Sequence, residues 1–348
     1  MPTHELYMQR ALYLASKGLA AAMPNPSVGA VIVYKDTIIG EGYTSAFGGS
    51  HAEVNAIHSV ADKSLLAEST LYVTLEPCSH FGKTPPCADL IVKHQLKQVV
   101  IGSTDPFVEV AGKGIEKLRN AGIHVTIGVL EKECKESHAR FFTFHQKKRP
   151  YIILKWAESA DGFIAPTTKD DQKPVWLSNT YSRQLTHKWR SEEMAILVGT
   201  NTILDDNPSL TTRDYVGKNP VRLYIDATHK VDNNFAITRT DAKTFCLTKQ
   251  VPANPIVNMI YKEINFNSFA DEICRVCYEE TIQSIIIEGG STTLQQFIDK
   301  NIWDEARVFK SAPVLKTGIL APQLKATEFS KQQQLANNTL VIYKNTNN

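Results

Sequence analysis

One histidine, one glutamate and two cysteines stand close together in the first third of the sequence. His51 and Glu53 are two positions apart, and Cys78 follows directly after a proline, with Cys87 nine positions further on. An imidazole and two thiolates form a suitable ligand set for tetrahedral zinc. Three protein ligands leave a fourth coordination position for water, as catalysis requires. The sequence therefore predicts a catalytic zinc site.

A carboxylate beside such a metal has a definite chemical use. Glu53 can take a proton from the water and pass it to a leaving amine, which makes it the candidate proton shuttle. Two simpler interpretations compete with this one. Ser50 and Glu53 have the spacing of a capping box, and isolated cysteines are usually buried apolar side chains. The capping interpretation puts His51 and Glu53 in the first turn of a helix, so it is compatible with a shared site.

The pattern around these residues predicts the elements that position them. Helical spacing covers four segments: 4–17 (ending at Gly18), 52–61, 88–96 and 114–121. Segments of strand character alternate with them: 28–34, 37–43, 70–75, 98–101 and 124–127. Strands separated by helices predict a sheet covered by helices on both faces.

A basic run at 147–150 ends this pattern and has the character of a linker. A second, strand-rich series follows, with strands predicted at 151–155, 194–199, 221–226, 244–247, 284–288, 306–311 and 339–343. Helices are predicted between them at 179–190, 271–280 and 292–300. We therefore expect an α/β protein with two domains, at 1–146 and 150–348.

The composition argues against several classes of protein. The 348 residues are 43% apolar, and 38 basic against 36 acidic residues leave a net charge of +2, which gives no basic track for nucleic acid. No apolar run approaches the roughly 18 residues of a membrane span, and no secretory signal is visible. Six cysteines are sparse for this length and favour a reducing compartment. We expect a cytoplasmic protein with a small-molecule partner, without nucleic-acid or membrane partners.

The zinc motif resembles that of the zinc-dependent nucleoside and nucleobase deaminases. Their pattern usually ends in Pro-Cys-x-x-Cys, whereas eight residues separate Cys78 from Cys87 here. This longer form resembles the RibD family of riboflavin-biosynthesis proteins. The segments that carry the resemblance are Glu76–Cys87, Pro24–Gly29, Asp105-Pro106 and Val110–Gly114. The resemblance covers nearly the whole chain.

The resemblance implies a fold and two reactions. The fold is a cytidine-deaminase-like three-layer α/β/α domain followed by a dihydrofolate-reductase-like α/β domain. The first reaction is zinc-dependent hydrolytic deamination of 2,5-diamino-6-ribosylamino-4(3H)-pyrimidinone 5′-phosphate. The second is NADPH-dependent reduction of the product's ribosyl group to ribityl. Zn²⁺ and NADPH are the implied cofactors, and a homo-oligomer, dimer or larger, is the implied assembly.

For the deaminase half, the resemblance gives the zinc ligands and Glu53 the roles predicted above. It also places Asn25 in a motif that lines the base pocket, although an Asn between two prolines is an ordinary turn residue as well. His80 and Lys83 lie in the insertion between the cysteines and are candidates to meet the ribose phosphate. Exposed loop cations are usually only solvated, which is the competing interpretation.

Three segments of the second half are candidates for a cleft. Leu154–Gly162 carries Lys155 and an Asp-Gly turn, and Gly199–Pro208 has the pattern of a strand end running into a polar loop. Ile285–Leu294 predicts a buried strand, a glycine turn and a helix start, which offers free N–H groups to a phosphate. Most glycine turns merely reverse the chain, and a lysine on a strand can equally protect a sheet edge.

The resemblance assigns roles within these segments. The implied NADPH contacts are Ala157, Trp176, Thr202, Asp206, Gly290, Ser291, Thr292, Thr293, Leu294, Gln295 and Gln296. The implied substrate contacts are Arg190, Leu210, Arg213 and Glu288. The two arginines suit a 5′-phosphate because guanidinium binds phosphate in bidentate fashion. Lys155 and Asp206 are the candidate groups for proton handling in the reduction.

Three further features bear on this assignment. Residues 166–174 are longer and more charged than the family leads us to expect, and Pro174 stands where the family has a small polar substrate contact. Lys249, after the strand at 244–247, is a candidate for the cofactor's 2′-phosphate. Cys274 and Cys277 fall inside a helical pattern, where packing into the core is favoured over a redox or metal role.

The leading hypothesis is a bifunctional deaminase and reductase, and three alternatives are open. The first is a deaminase whose C-terminal domain is a non-catalytic binding or assembly module. The second is a tRNA-editing deaminase, which predicts salt-sensitive tRNA binding and is disfavoured by the charge balance. The third is a structural zinc protein, which predicts a fourth protein ligand on the metal.

Overall fold

The structure is a computed structural model that describes residues 3–81, 85–106, 111–167, 177–325 and 327–347. The chain divides into two compact units, Met1–Lys148 and Arg149–Asn348. Over the described ranges, no helix combines the length and the apolarity that crossing a membrane requires.

The first unit alternates helices and strands. In chain order the described residues form α1 (His4–Ala22), β1 (Gly29–Tyr34), β2 (Thr37–Tyr43), α2 (Ala52–Ser59), a 3₁₀ turn (Lys63–Glu68), β3 (Thr70–Leu75), α3 (Cys87–Lys93), β4 (Gln98–Ser103), α4 (Lys113–Asn120), β5 (His124–Ile127), α5 (Glu131–Ser137) and α6 (Ala139–Lys147). The sheet order is β2-β1-β3-β4-β5. Strand β1 is antiparallel to both of its neighbours, and β3, β4 and β5 run parallel.

Helices cover both faces of this sheet, because successive strand side chains point to opposite faces. Ala30 and Ile32 of β1 belong to a core cluster shared with α2, α3 and α4. Val31 and Val33 belong to a second cluster, shared with α1 and α5. The three-layer α/β/α arrangement predicted for the first domain is therefore confirmed.

The second unit is built on a larger mixed sheet. In chain order its described residues form β6 (Tyr151–Glu158), β7 (Phe163–Ala165), α7 (Thr180–Glu192), β8 (Ala195–Val198), α8 (Thr200–Asp206), β9 (Val221–Ile225), β10 (Thr244–Thr248), β11 (Ile260–Glu263), α9 (Phe269–Glu279), β12 (Ser284–Ile287), α10 (Ser291–Asp299), β13 (Glu305–Ser311), β14 (Ile319–Leu320), β15 (Thr327–Leu335) and β16 (Asn338–Asn345). Short 3₁₀ turns lie at Ala236–Thr238 and Phe266–Ser268. The α/β class predicted for this half is confirmed.

Parallel pairing dominates this second sheet, whose order is β11-β10-β9-β8-β12-β6-β13-β16-β15. The strands from β11 to β13 pair in parallel, and β16 and β15 complete the sheet as antiparallel strands. Carboxyl ends of neighbouring parallel strands meet at one edge of a sheet, which is where ligands bind in open α/β folds. Helices α8 and α10 begin at that edge, directly after β8 and β12.

Several predicted boundaries are wrong for identifiable reasons. Helix α1 runs through Gly18, where a Cβ would lie 2.6 Å from Ser27 Oγ, so this glycine serves close packing and is not a helix stop. The polar loop predicted after Gly199 is helix α8 instead, because Ile203 gives the segment a buried side chain. The predicted linker at 147–150 contains the boundary between the two units, which falls after Lys148, but Arg149 is already buried in the second unit and paired with Asp304 at 2.6 Å.

Two predictions about strands need correction as well. The edge interpretation of Lys155 is wrong, because β6 lies inside the sheet between β12 and β13. The sequence does not predict β15, whose residues are almost all exposed and show no apolar alternation. That strand exists because β16 offers it a pairing partner along its whole length.

Candidate functional site

His51, Cys78 and Cys87 come together in the first unit. Nδ1 of His51 lies 3.6 Å from Sγ of Cys78 and 3.3 Å from Sγ of Cys87, and the three ligand atoms are all within 4.8 Å of one another. Zinc bonds of about 2.0–2.3 Å in a tetrahedron put neighbouring ligand atoms roughly 3.5 Å apart. The cluster therefore has the dimensions of a zinc site. Among the described residues, no fourth His, Cys, Asp or Glu joins this group.

Helix starts position two of the three ligands. His51 is the N-cap of α2, Cys87 is the first residue of α3, and Cys78 lies in the loop after β3. The Cys87 N–H donates to Cys78 Sγ at 3.3 Å, which ties that loop to α3. The capping-box interpretation of Ser50 and Glu53 is wrong, because the N-cap of α2 is His51 and no side chain makes a capping hydrogen bond. The expected position of His51 and Glu53 at the first turn is confirmed.

Glu53 is buried beside the cluster, with 3% of its surface exposed. Burial first, and then the nearby Cys78, raise the pKa of Glu53 to about 7. A hydrogen bond with Cys87 lowers the pKa of Cys78 to about 4, and the same bond raises the pKa of Cys87. The pair thus favours a thiolate on Cys78, which is the form of cysteine that binds a metal.

Glu76, which sequence reasoning did not single out, lies two residues before Cys78, and its carboxylate links this part of the chain to the start of α4. The N–H groups of Asp105 and Gly112 donate to its Oε2 at 3.3 and 3.1 Å, and those of Gly114 and Ile115 donate to its Oε1 at 3.0 and 3.3 Å. A Cβ on Gly114 would lie 2.0 Å from the carbonyl oxygen before Cys78, so α4 begins tightly against the loop. The Glu-Pro-Cys sequence is the signal that could have pointed to this residue.

The remaining deaminase predictions concern loops. Asn25 is partly buried, and its N–H donates to the carbonyl of Ala22 at 3.0 Å, as in an ordinary turn. His80 is exposed in the segment between the two cysteines. Lys83 lies outside the described residues.

The second unit contains a cavity of about 270 Å³ where β8 and β12 end. It is lined by Gly199, Thr200, Asn201, Thr202, Ile225, Phe266, Phe269, Gly290, Thr292, Thr293 and Gln296. Five of these are predicted cofactor contacts: Thr202, Gly290, Thr292, Thr293 and Gln296. The predicted strand, glycine turn and helix start is confirmed, with Gly290 at φ +51° ahead of α10.

The other residues that line the cavity differ in whether a sequence signal could have identified them. Thr200 and Asn201 follow the buried strand β8, in the segment Gly199–Pro208 that was already a candidate for a cleft. The sequence therefore contained the signal for these two residues. Phe266 and Phe269 lie just before and at the start of α9, far from the other lining residues in sequence. Only tertiary packing brings those rings to the cavity.

Several predicted cofactor contacts lie elsewhere. Leu294 is 1% exposed and belongs to the hydrophobic core, and the Gln295 amide bonds with Asp299 and Gln323. A cofactor contact of Leu294 would therefore have to use its main chain, and the contact of Gln295 stays a prediction. Ala157, Ser291 and Asp206 are also outside the cavity lining. Trp176 and Pro174 lie outside the described residues.

Arg190 and Glu288 form a buried ion pair. Nη2 of Arg190 lies 2.7 Å from Oε2 of Glu288, Nε lies 3.4 Å from Oε1, and Nη1 donates to the carbonyl of Thr211 at 3.2 Å. Burial alone would raise the pKa of Glu288, but Arg190 and Lys155 outweigh it and lower that pKa to about 2. Three of the five guanidinium N–H groups of Arg190 thus bond with protein atoms, and two remain available to a ligand.

Arg213 has a different environment. Its side chain is exposed, and Nη1 donates to Ser209 Oγ at 3.0 Å. Leu210, also a predicted substrate contact, is 2% exposed and has a left-handed backbone at φ +54°. Of the two predicted arginines, Arg213 therefore has the more exposed guanidinium.

Lys155 joins the same electrostatic cluster. Burial lowers the pKa of Lys155, while Glu288 opposes that shift and Arg190 adds to it. Its Nζ lies 5.7 Å from the centre of the Phe309 ring. A partly buried lysine of lowered pKa beside a carboxylate is suited to proton transfer.

Cys274 and Cys277 are buried on α9 within the hydrophobic core, as predicted. Burial raises the pKa of both thiols. Their packing explains them without a metal or redox role.

Two known families match this chain. Residues 1–103 match the cytidine and deoxycytidylate deaminase zinc-binding region, and residues 150–335 match the RibD C-terminal domain. Riboflavin biosynthesis protein RibD of Aquifex aeolicus is 39% identical over 322 residues, which cover 90% of this chain and 88% of the relative. The protein of the same name from Bacillus amyloliquefaciens is 38% identical over 334 residues, with coverage of 93% and 88%.

A solved structure agrees over nearly the full length. It is a diaminohydroxyphosphoribosylaminopyrimidine deaminase/5-amino-6-(5-phosphoribosylamino)uracil reductase from Thermotoga maritima, 37% identical, with a TM-score of 0.90 and 98% of each chain covered. Identity and coverage at this level, together with the zinc-sized cluster and the cavity, establish the relationship. The chain belongs to the RibD family, and it is a riboflavin-biosynthesis protein that joins a zinc-dependent deaminase to an NADPH-dependent reductase.

Proposed function

We propose that the chain deaminates 2,5-diamino-6-ribosylamino-4(3H)-pyrimidinone 5′-phosphate and then reduces the ribosyl group of the product to ribityl. The observation that carries the proposal is the zinc-sized cluster of one imidazole and two thiols with a buried carboxylate beside it. The Thermotoga maritima relative is named for both reactions, which supports the same substrates here.

In the first reaction His51, Cys78 and Cys87 would hold the zinc, and among the described residues no fourth protein ligand joins them. When bound, zinc supplies the Lewis acidity that makes water a nucleophile near neutral pH. Glu53 accepts a proton at a carboxylate oxygen and returns it to the leaving amine. The bond from ring carbon C2 to its amino nitrogen breaks, a bond from C2 to oxygen forms, and ammonia leaves. We propose that Asn25 contacts the base and that His80 contacts the ribose phosphate; Lys83, the other residue that the family resemblance offers for the phosphate, lies outside the described residues.

In the second reaction the cavity at the ends of β8 and β12 holds part of the dinucleotide. Its volume of about 270 Å³ is close to the lower end of ligand pockets, roughly 300 Å³, and is too small for the whole cofactor. The start of α10 suits a phosphate, and the rings of Phe266 and Phe269 suit a flat base. When bound, NADPH supplies the hydride.

The chain's own groups prepare the sugar for that hydride. We propose that Lys155 and Asp206 handle the proton that the ring oxygen takes up as the ribose opens and C1′ becomes electrophilic. Glu288, held as a carboxylate by Arg190, contacts the sugar hydroxyls. Arg213 and Leu210 border the 5′-phosphate.

The test is incubation with the diamino-pyrimidinone nucleotide, with and without NADPH, followed by mass analysis. We expect the deaminated nucleotide without NADPH and the ribityl product with it. Deamination without any NADPH oxidation would favour the alternative in which the C-terminal domain only binds or assembles. The match of residues 150–335 to the RibD C-terminal domain speaks against that alternative.

We also propose that the chain works in the cytoplasm as a homo-oligomer, a dimer or larger. An exposed strand, β15, forms one edge of the nine-stranded sheet, and such edges are commonly paired or covered. Light scattering on the purified protein should give a multiple of the 38.8 kDa chain mass. A single-chain mass at micromolar concentration would contradict the assembly.

A further inference from the structure

Helix α7 holds the segment 209–213, which carries the proposed phosphate ligand Arg213. Arg190 Nη1 donates to the Thr211 carbonyl oxygen at 3.2 Å, and the Arg213 main-chain N–H donates to His187 Nδ1 at 3.0 Å. His187 and Arg190 are three positions apart, so they share one face of the helix. Helix α7 thus bonds with the main chain of the segment twice, through Arg190 as a donor and through His187 as an acceptor.

The segment is anchored at its other end as well. The fully buried Arg222 donates from Nη1 to the Ser209 carbonyl at 3.1 Å, and Ser209 Oγ accepts from Arg213 Nη1 at 3.0 Å. The main chain at Arg213 is therefore fixed by His187, and its side chain is steadied by Ser209. The guanidinium of Arg213 is exposed, in contrast to that of Arg190, which is buried and paired with Glu288.

His187 can accept this bond only while its Nδ1 carries no proton. Burial, and then Arg190, lower the pKa of His187 to about 4, so the ring is neutral near pH 7. The ring proton then sits on Nε2, which lies 3.7 Å from Oδ2 of Asp214. With only 4% of its surface exposed, His187 is a buried acceptor dedicated to the Arg213 main chain.

We propose that His187 is a positioning residue of the reductase site, whose neutral imidazole sets the main chain at Arg213 so that the guanidinium meets the substrate's 5′-phosphate. The inference rests on the proposed function and adds a residue that neither the motifs nor the family resemblance assigned. Its effect should depend on the phosphate, because His187 acts through the phosphate ligand and not on the sugar or the cofactor.

The test uses the full-length, zinc-loaded enzyme and only its reductase step. The substrates are the deaminated nucleotide and the same compound without its phosphate, each with NADPH. His187→Leu removes the acceptor, whereas His187→Asn is smaller than histidine but puts an amide oxygen near the position of Nδ1. Lys188→Leu is the matched control, because Lys188 is half-exposed on the same helix and pairs with Glu192.

We expect His187→Leu to raise KM for the nucleotide about tenfold, the effect of losing one hydrogen bond of ordinary strength. KM should rise more than kcat falls, and kcat/KM for the unphosphorylated substrate should change by less than twofold. His187→Asn should restore most of the loss. Equal losses with both substrates, or a folded His187→Asn as impaired as His187→Leu, would overturn the proposal.

A second variant covers the case in which His187→Leu does not fold. Arg213→Gln changes an exposed side chain and should abolish most of the preference for the phosphorylated substrate. An unchanged preference in Arg213→Gln would overturn the proposal without any His187 variant. If the wild-type enzyme oxidises no NADPH with either substrate, the proposed function itself fails, and that result is distinct from both outcomes above.

Discussion

At the scale of single residues, Glu53 carries the clearest prediction. It is buried two positions beyond a zinc-site histidine, and the deamination needs a group that accepts and returns one proton. Glu53→Gln keeps the shape and removes the proton acceptor. We expect zinc content near that of the wild type and deamination slower by about 10³-fold.

Metal analysis and product formation without NADPH measure the two effects separately. Glu68→Gln is the matched control, because Glu68 is exposed in the 3₁₀ turn and away from the cluster. A Glu53→Gln enzyme that still deaminates at more than a tenth of the wild-type rate would exclude Glu53 as the proton shuttle.

Lys249 carries a second prediction at this scale. Its exposed ammonium group lies 5.8 Å from the centre of the Phe266 ring, which lines the cavity, so it can reach a phosphate on a nucleotide bound there. Lys249→Ala should raise KM for NADPH about tenfold and leave KM for NADH within twofold. Lys243→Ala is the control, because Lys243 stacks on Phe245 at the opposite end of β10. An unchanged preference between NADPH and NADH would remove Lys249 from the cofactor site.

At the scale of elements, Glu76 ties the end of β3 to the start of α4. Glu76→Ala would deprive four main-chain N–H groups of their acceptor, at a cost of roughly 1–3 kcal/mol for each one left buried. Faster hydrogen exchange is expected at Gly112, Gly114 and Ile115, together with zinc loss at lower chelator concentration. Glu76→Gln, which keeps one oxygen acceptor, should be intermediate. Glu116→Ala, at an exposed position of α4, should exchange like the wild type.

Elements differ in how much of them the sequence predicts. Fixed spacings of rare residues predicted the zinc cluster, and a buried strand followed by Gly-Gly predicted the start of α10. Periodicity reports burial, so it misses β15, an exposed strand defined only by its partner β16. Contacts between distant elements are missed for the same reason. Tertiary packing places Phe266 at the cavity and brings the Arg213 N–H to His187. No pattern within a short stretch of sequence predicts either contact.

At the scale of the whole molecule, the two reactions draw on different units of the chain. The zinc cluster and Glu53 belong to Met1–Lys148, and the cavity and the Arg190–Glu288 pair belong to Arg149–Asn348. The residues that would hold zinc and those that would hold NADPH therefore share no member. Loss of the metal should separate the two activities.

Zinc removal by a chelator tests this separation in the intact chain. Deamination should fall below a hundredth of its starting rate, because His51, Cys78 and Cys87 then hold nothing that activates water. Reduction of supplied deaminated nucleotide should continue within about twofold, since no zinc-site residue lines the cavity. Added zinc should restore deamination, which controls for damage by the chelator. Deamination that survives while reduction fails would mean that the two reactions are assigned to the wrong units.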